Sequence, residues 1–316
     1  MKQFSWYRWG GVIGSVLLLV VFVVPYFSFA KSAHKLYVND SANGTQDGSA
    51  NHPFEKISQA IDKADGFNGQ TDIFVSKGDY KENITIPGNV RVVGAGKGDT
   101  NIIAKDSGDA VVTMKNKSRI EGVTLKKGRV GIVVKKDAKA EIIDTLIKDN
   151  HREGIVALSA SRNDDGLVSI VNTEIYDNGW SGIYSEKRKV VILNSDIKNN
   201  GRNGVAFARG VKAYFDDSSV SDNHQNGLSM ILDDSSLYVA SGDTFRNNKL
   251  DGIAIVSYGG TGSVVVKKSR MSENDHYGVS RIAKGNVAAS VWNGVSVVDS
   301  NNYFGNGQGN ISRILK

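Results

Sequence analysis

The chain of 316 residues contains no cysteine, so it forms no disulfide, no thiolate metal site and no lipid-modified cysteine. It also lacks a strong excess of one charge, because 39 Lys and Arg accompany 33 Asp and Glu. The basic residues are dispersed, and no nucleic-acid-binding motif occurs among them. The composition therefore gives no indication of a nucleic-acid partner. The mild basic excess would suit an anionic glycan equally well.

Residues 1–30 have the composition of a targeting segment rather than of a folded element. Two positive charges precede an apolar run at residues 12–24, and Ser28 and Ala30 fit a small-x-small cleavage site. This pattern favours a cleaved signal peptide. Residues 10–30 are also long enough to span a bilayer, so an uncleaved signal anchor is the alternative. In both cases we expect the rest of the chain to be exported, either secreted or membrane-anchored at the extracytoplasmic face.

A nine-residue pattern recurs along the chain: an apolar residue, Asn three positions later, Gly four positions after the Asn, then another apolar residue. The asparagines are Asn150, Asn178, Asn200, Asn223, Asn248 and Asn274. The glycines are Gly154, Gly182, Gly204, Gly227, Gly252 and Gly278. A degenerate copy at Val298, Asn301 and Gly305 is expected to end the series. A repeat period in the twenties with short apolar alternations predicts a solenoid with one coil per repeat.

The residues within a coil indicate which solenoid this is. In residues 168–185, Val168 and Ile170 alternate as in a strand, and turn residues separate them from Ile175 and Ile183. Each coil therefore reads as three short strands, and stacked coils place equivalent residues about 4.8 Å apart. The repeated asparagines should form a ladder of side-chain amides that bond to the coils above and below. Asn also tolerates the left-handed backbone of a tight turn. These features predict an all-β chain folded as a parallel β-helix.

The N-terminal flank predicts a cap on this solenoid. A strand at residues 36–38 leads into a polar, glycine-containing loop, then to Pro53, which suits a first helical turn, and a short amphipathic helix. With the asparagine turns, this order resembles the capped start of right-handed parallel β-helix proteins of the pectin-lyase-like superfamily. The resemblance implies a single-stranded right-handed β-helix with a short N-terminal capping helix. We divide the chain into a leader (1–30), the cap and first coils (31–100), β-helix repeats (101–305) and a C-terminal tail (306–316).

Polysaccharide lyases of this superfamily use carboxylates for Ca²⁺ and an Arg or Lys as base. The paired acids Asp164-Asp165, Asp216-Asp217 and Asp233-Asp234 lie in different coils and do not obviously converge. The Gly-His-Gly segment of polygalacturonase-type hydrolases and the Asp-Pro-His-Asp motif of mannuronan epimerases are both absent. We therefore expect no cofactor, Ca²⁺ being the one metal that the acids would allow. Asp40, Asn43 and Asp47 are either structural Ca²⁺ ligands or ordinary turn residues.

The histidines do not have the spacing of a metal site. His151 and His224 share a phase of the repeat and are three coils apart, which is about 14 Å. His276 is about 10 Å further on by the same count. A zinc ion needs its ligands about 2 Å away. We expect no metal site at these residues.

One face is suited to a ligand. The second residue after each repeat glycine should point outward, and this column is small and nearly uncharged: Val156, Tyr184, Ala206, Ser229, Ala254 and Ser280. Aromatic, arginine and carboxylate side chains would flank it, which suits sugar stacking and uronate pairing. The candidate groove residues are Arg152, Glu153, Trp180, Tyr184, Glu186, Arg202, Arg209, Asp251, His276, Tyr277 and Arg281. The competing interpretation is that these side chains are ordinary surface residues of turns and have no ligand.

A second apolar column is predicted on another strand. Its members are Val191, Tyr214, Val239, Val265 and Trp292, in the phase opposite to the core residues Ile192, Phe215, Ala240 and Val266. A strand that is apolar on both faces is expected to be covered on both. The cover would be the tail, through Ile311, Ile314 and Leu315, or a second copy in a homo-oligomer.

Three functions remain open from the sequence. The first is an exported cell-envelope protein that binds a polysaccharide or cell-surface glycan along one sheet face without catalysis. The second is a lyase or epimerase that acts on an acidic glycan. The third is a structural surface or spike element. Short inter-strand loops favour the first, because catalytic members usually carry long loops around the site. The sequence does not specify catalytic residues.

Overall fold

A computed structural model describes residues 34–161, 166–297 and 300–315, and the predicted leader lies outside them. Three long parallel sheets run along the molecule, and successive coils contribute one strand to each. The chain is therefore a parallel β-helix, as the repeats predicted. No helix in the described ranges is long and apolar enough to cross a membrane.

The bounds of the elements are as follows. Sheet 1 contains His34–Val38, Thr71–Val75, Val90–Gly94, Ser118–Glu121, Lys139–Ile143, Leu167–Val171, Lys189–Leu193, Lys212–Asp216, Ser235–Val239, Gly262–Val266 and Val295–Val297. Sheet 2 contains Gly78–Lys81, Thr100–Ile103, Thr124–Lys126, Leu146–Lys148, Glu174–Tyr176, Asp196–Lys198, Ser219–Ser221, Thr244–Arg246, Arg270–Ser272 and Asn302–Phe304. Sheet 3 contains Ile84–Ile86, Ala110–Met114, Val130–Val134, Ile155–Ala157, Ile183–Ser185, Val205–Phe207, Leu228–Ile231, Ile253–Ser257, Tyr277–Ala283 and Gly309–Leu315. An α-helix spans Ile57–Asp65, and a 3₁₀ helix spans Ala289–Gly294.

The core is built from apolar columns that run from coil to coil. In sheet 1, for example, Ile170 pairs with Ile192 and Ile192 with Phe215. All three side chains are fully buried. Alternate residues of each strand point inward, so each sheet contributes such columns, and the columns of the three sheets meet along the axis.

The helix Ile57–Asp65 covers the N-terminal end of the core, as the sequence predicted. Its four buried residues are Ile57, Ala60, Ile61 and Ala64. The carboxylate of Glu82 accepts hydrogen bonds from the backbone N–H groups of Ile57 (2.8 Å) and Ser58 (3.0 Å). These bonds satisfy two of the unpaired donors at the helix start. Pro53 precedes the helix by several residues, so its expected place in the first turn was wrong.

The asparagine ladder is present and buried. Each amide Nδ2 donates to the Oδ1 of the next asparagine, at 3.0 Å from Asn178 to Asn200 and 3.1 Å from Asn200 to Asn223. The same Oδ1 atoms also accept the backbone N–H of the preceding asparagine. Asn200 and Asn223 are fully buried. The left-handed residue of each turn is the one before the ladder asparagine, such as Asp177 (φ 54°). The additional reason expected for asparagine, a left-handed backbone, was therefore wrong for these positions, whereas the amide ladder is confirmed.

The repeat glycines allow the coils to approach at this corner. A Cβ on Gly182 would lie 2.7 Å from the carbonyl oxygen of Gly204 and 2.9 Å from Nδ2 of Asn200. Any larger residue would push the ladder apart. Asparagine and glycine are therefore two parts of one packing requirement.

The end of the series differs from its prediction. Asn274 Nδ2 donates to Asn306 Oδ1 at 2.9 Å, so Asn306 is the last rung. Asn301 belongs to another corner, where its Oδ1 accepts the N–H of Ser269. The predicted tail is also wrong, because Gly309–Leu315 forms the last strand of sheet 3. The loop before this coil is longer than in the other repeats, which shifted the pattern by five residues.

The apolar stripe on sheet 1 has different members from those predicted. Tyr214 pairs with Tyr238, and Val239 lies in the buried column with Phe215. Trp292 lies in the 3₁₀ helix and packs into the core. The residues around Val239 are apolar at consecutive positions, so the alternation of apolar and polar residues did not show which of them point inward.

The outward column therefore runs Val191, Tyr214, Tyr238, Val265 and Ser296. The rings of Tyr214 and Tyr238 stack 5.7 Å apart at an interplanar angle of 4°. The tail does not cover this column, since it pairs in sheet 3 with Ile311 and Ile314 exposed. A second copy as the cover stays a prediction.

A second polar ladder lies at the corner between sheets 1 and 2. The N–H of Thr173 donates to Ser195 Oγ, that of Ser195 to Ser218 Oγ, and that of Ser218 to Asp243 Oδ1. Asp243 is buried, and its Oδ2 has no hydrogen-bond partner. Burial raises the pKa of this carboxyl from its ordinary value of 3.8 to about 7. Position 243 therefore places a carboxylate where neighbouring coils use a hydroxyl.

Removing one ladder rung tests the contribution of the column to stability. Replacing Asn200 by Ala leaves the groups that it bonded in two coils unpaired inside the protein. We expect Asn200→Ala to lower the free energy of unfolding by about 1–3 kcal/mol. Denaturant unfolding monitored by circular dichroism measures this difference. An unfolding midpoint equal to that of the parent protein would contradict a stabilising ladder.

Asp243 should make stability depend on pH. Between pH 3.8 and about 7 the folded state keeps a proton on Asp243 that the unfolded state has lost, so stability falls as pH rises through this window. The free energy of unfolding of the parent protein should fall by about 3 kcal/mol between pH 4.5 and pH 8, measured relative to that of Asp243→Asn. Urea unfolding of both proteins at the two pH values gives the comparison. An equal difference at both pH values would show that the carboxyl titrates normally.

Candidate functional site

The outward face of sheet 3 forms the floor of the candidate groove. Val156 pairs with Tyr184, Tyr184 with Ala206, and Ala206 with Ser229, so these residues form one column as predicted. All four are partly exposed. The column continues in register to Ala254 and Ser280, but both are buried. The accessible floor therefore ends at Ser229, two coils earlier than expected.

The wall on the ladder side is an arginine–tryptophan–arginine stack. Arg152, Trp180 and Arg202 each lie two residues after a ladder asparagine, and backbone hydrogen bonds connect them from coil to coil. The guanidinium carbon of Arg152 lies 3.6 Å from the Trp180 ring centroid, and that of Arg202 lies 4.0 Å away. The predicted meeting of Trp180 and Arg202 on one surface is confirmed. A role for them in binding stays a prediction.

The middle of the groove brings together Tyr184 and charged side chains from neighbouring coils. Glu186 accepts a hydrogen bond from Ser159 Oγ at 3.0 Å, and its other oxygen lies 3.9 Å from Arg209 Nε. Burial, followed by the charges of Glu186 and Glu153, raises the pKa of the Tyr184 hydroxyl, and Arg209 opposes this shift. The phenol therefore stays protonated at neutral pH and can donate a hydrogen bond to a ligand.

The remaining predicted groove residues form a separate group further along the helix. Asp251 accepts hydrogen bonds from the Tyr277 backbone N–H (2.9 Å) and from Ser280 Oγ (2.7 Å). Asp251 is buried, and its bond to Ser280 accounts for the buried end of the floor. Arg281 donates to the carbonyl oxygen of Ser312 at 2.8 Å. His276 occupies the wall column, half-buried. Asp251 and Arg281 thus make hydrogen bonds within the protein, whereas the exposed Arg202 packs on the Trp180 ring.

Two of the acidic residues considered for calcium, Asp47 and Asp40, accept backbone hydrogen bonds. Asp47 Oδ1 accepts the N–H of Ser49 at 2.8 Å, and Asp40 accepts the N–H of Asp79. No cluster of three or more His, Asp or Glu able to hold a metal ion occurs in residues 34–161, 166–297 and 300–315. Asp164 and Asp165 lie outside these ranges.

Two features were missed by the sequence reasoning. The first is Arg188, which is fully buried and donates to the carbonyl oxygens of Lys135 (2.8 Å) and Ala138 (3.1 Å). Burial lowers its pKa to about 10. Arg188 joins turns two coils apart, so its role is structural. Its position before a strand in a Lys-Arg-Lys sequence gave no signal of burial.

The second missed feature is another aromatic ring between two cations, on sheet 2. Tyr176 lies between Lys148 (5.4 Å from Nζ to the ring centroid) and Lys198 (5.6 Å). Lys148 pairs with Asp149 and Lys198 with Asp196. Lys148, Tyr176 and Lys198 each lie two residues before a ladder asparagine, and this equal spacing could have predicted the stack.

Several solved structures of other proteins are similar to this fold. The structure is similar to the A-module of the mannuronan C-5 epimerase AlgE4 from Azotobacter vinelandii, with a TM-score of 0.53, 15% identity, and coverage of 88% of this chain and 98% of the epimerase module. It is also similar to the pectate lyase Pel9A, with a TM-score of 0.58, 15% identity, and coverage of 90% and 78%. The Dettilon tailspike protein gp208 gives a TM-score of 0.56 and 13% identity, with coverage of 88% and 61%.

At these identities the structural similarity establishes the fold alone. No curated protein sequence matches significantly. The family model "Right handed beta helix region" matches residues 131–312, more than half of the chain. The protein therefore belongs to the right-handed β-helix family.

Proposed function

We propose that the protein is an exported cell-envelope protein that binds polysaccharide along the outward face of sheet 3, without catalysis. The observation that carries this proposal is the convergence of Arg152, Trp180, Arg202, Tyr184 and Glu186 beside a floor of small side chains. Sugar rings present both apolar faces and hydroxyl groups, so they match a surface on which the Tyr184 ring lies beside hydrogen-bonding side chains. The names of two similar structures, a mannuronan epimerase and a pectate lyase, support a glycan as ligand.

The shape of the groove supports binding over turnover. The turns on either side of the floor are short: six residues separate Lys198 from Val205, and four separate Phe207 from Lys212. Such turns leave a ligand open to water along the sheet, whereas enclosure strengthens electrostatic contacts to a reacting group. A long polymer lying over several coils needs no enclosure. The open face is therefore better suited to hold a chain than to process one bond.

A lyase or epimerase acting on an acidic glycan is the second candidate. The observation in its favour is the Tyr184 hydroxyl, whose pKa is raised and which lies among Glu153, Glu186 and Arg209. Perturbed titratable groups that cluster in a groove are candidates for proton transfer. The same arrangement also serves binding, because a protonated phenol and a guanidinium donate hydrogen bonds to sugar oxygens.

A combined binding and turnover screen separates the two candidates. The exported domain would be incubated with neutral and uronate polysaccharides, with and without Ca²⁺. Binding is measured by isothermal titration calorimetry, and turnover by chain length, by unsaturated products and, for epimerisation, by the C-5 configuration of the uronate residues in NMR spectra. We expect saturable binding to at least one polymer without change in the polymer. Depolymerisation or epimerisation that is lost in Tyr184→Phe would favour the enzyme. Absence of binding to every polymer would contradict the proposed function.

Tyr184 offers a direct test of the face. Tyr184→Ala removes the largest side chain of the floor, so we expect the dissociation constant for the bound polymer to rise about tenfold, or ~1.4 kcal/mol. Tyr258→Ala is the matched control, because Tyr258 is 67% exposed in the turn between sheets 3 and 1. The control should bind like the parent protein. Equal affinity of all three proteins would exclude this face as the binding surface.

A further inference from the structure

Both faces of the Trp180 indole are already occupied. Arg152 lies over one face and Arg202 over the other, because the two residues come from the coils before and after Trp180. A sugar ring stacks on an aromatic side chain by covering its face, and neither face is free here. Trp180 therefore does not serve as a stacking platform. The groups of this wall that remain available to a ligand are the two guanidiniums.

The ring also fixes the spacing of the guanidiniums. Residues two coils apart are separated by about 9.6 Å along the axis. The two guanidinium carbons, at 3.6 and 4.0 Å from the ring centroid, lie less than about 8 Å from each other. The arginine side chains therefore lean towards the ring on both sides. Without the indole, two flexible cations that repel each other would not stay this close.

The charge of this wall is only partly balanced. Arg202 is exposed, and no carboxylate in the described part of the chain pairs with it. Arg152 has one carboxylate nearby, that of Glu153, at 3.9 Å from its Nε. Arg129 precedes Arg152 in the same column, joined through the backbone. Three arginines in four successive coils thus line one side of the groove.

The stack on sheet 2 provides an internal comparison. Tyr176 also lies between two cations, but both lysines have aspartate partners. That stack is electrically balanced and has little charge to offer a ligand. The comparison distinguishes a cation–aromatic stack that only joins coils from one that also presents positive charge.

Resting on the proposed function, we infer that Arg152 and Arg202, held at a fixed separation by Trp180, form a two-point clamp for anionic groups of the polysaccharide. Trp180 is the positioning residue, and the guanidiniums determine specificity. Guanidinium groups bind carboxylate, sulfate and phosphate through paired N–H donors, so any of these groups on the polymer would suit the clamp. The polymer would run along the helix axis, with its charged groups towards the ladder side of the groove.

The test uses the exported domain with matched polymers. Polygalacturonate and its fully methyl-esterified form share one backbone and differ in charge, while dextran and dextran sulfate provide a second such pair. We expect the parent protein to bind at least one anionic polymer at least tenfold more tightly than its neutral counterpart. Which anionic polymer binds distinguishes carboxylate from sulfate recognition. Affinity for the anionic form should fall as salt is raised.

Variants test whether Trp180 positions the two arginines or only supports the fold. Arg202→Gln should lower affinity for the anionic polymer about tenfold, weaken its salt dependence and leave affinity for the neutral form unchanged. Trp180→Leu, which keeps apolar volume but removes the aromatic face, should have the same effect. Trp180→Phe, which keeps a smaller face, should restore most of the affinity. Tyr176→Leu in the balanced stack is the matched control and should bind like the parent protein.

Several outcomes would overturn the clamp. One is that the protein binds the anionic and neutral forms of a polymer with equal affinity while Tyr184→Ala weakens binding of both forms. That result would overturn the clamp and leave the proposed function supported. Another is that Trp180→Leu weakens binding of the neutral polymer as much as binding of the anionic polymer, which would make Trp180 a structural residue. Failure to bind any polymer would contradict the proposed function and the clamp together. Thermal melts of every variant confirm that affinities compare folded proteins.

Discussion

Hydrogen bonding between stacked coils is the constraint on which the rest of this structure depends. Every coil must present the same groups, at the same spacing of about 4.8 Å, to the coil before and after it. The buried asparagine ladder is the strictest form of this requirement, because each amide bonds both the side chain and the backbone of its neighbours. Since the ladder fixes the phase of each coil, it also fixes which residues share a column on the surface.

This constraint explains why much of the fold could be predicted from the sequence. Asn recurs three residues and Gly seven residues after the apolar anchor of each repeat, and both are required in space, as the close approach at Gly182 shows. Prediction failed where the coil length changes. A longer loop moved the last ladder asparagine from the expected Asn301 to Asn306. Prediction also failed where consecutive residues are apolar, because alternation then does not show which residue points outward, and Tyr238 takes the place expected for Val239. The pattern is a reliable guide to register only while the turns keep their length.

The candidate site was predictable to the level of columns and no further. Equal spacing from the ladder asparagines placed Arg152, Trp180 and Arg202 together. The contacts between side chains in a column depend on rotamers and on neighbouring columns, which the repeat does not specify. Asp251 shows the difference, since it shares the expected surface but is buried against Ser280. Likewise, both faces of Trp180 are covered, which reverses its expected role as a platform for sugars.

The position of the arginine stack relative to the ladder has a physical advantage. Its three residues follow the ladder asparagines by two positions, so their backbones lie next to the buried ladder and are hydrogen-bonded from coil to coil. A binding group pays less conformational entropy on contact with a ligand when its backbone and rotamer are already fixed. The buried columns must stay nearly constant from coil to coil, whereas the outward positions beside them are free to differ. A β-helix can therefore keep one core and carry different chemistry along its length. Here the coils that contain Asn150, Asn178 and Asn200 carry the cationic wall, and the next coils in the same column carry Gln225 and Leu250 instead.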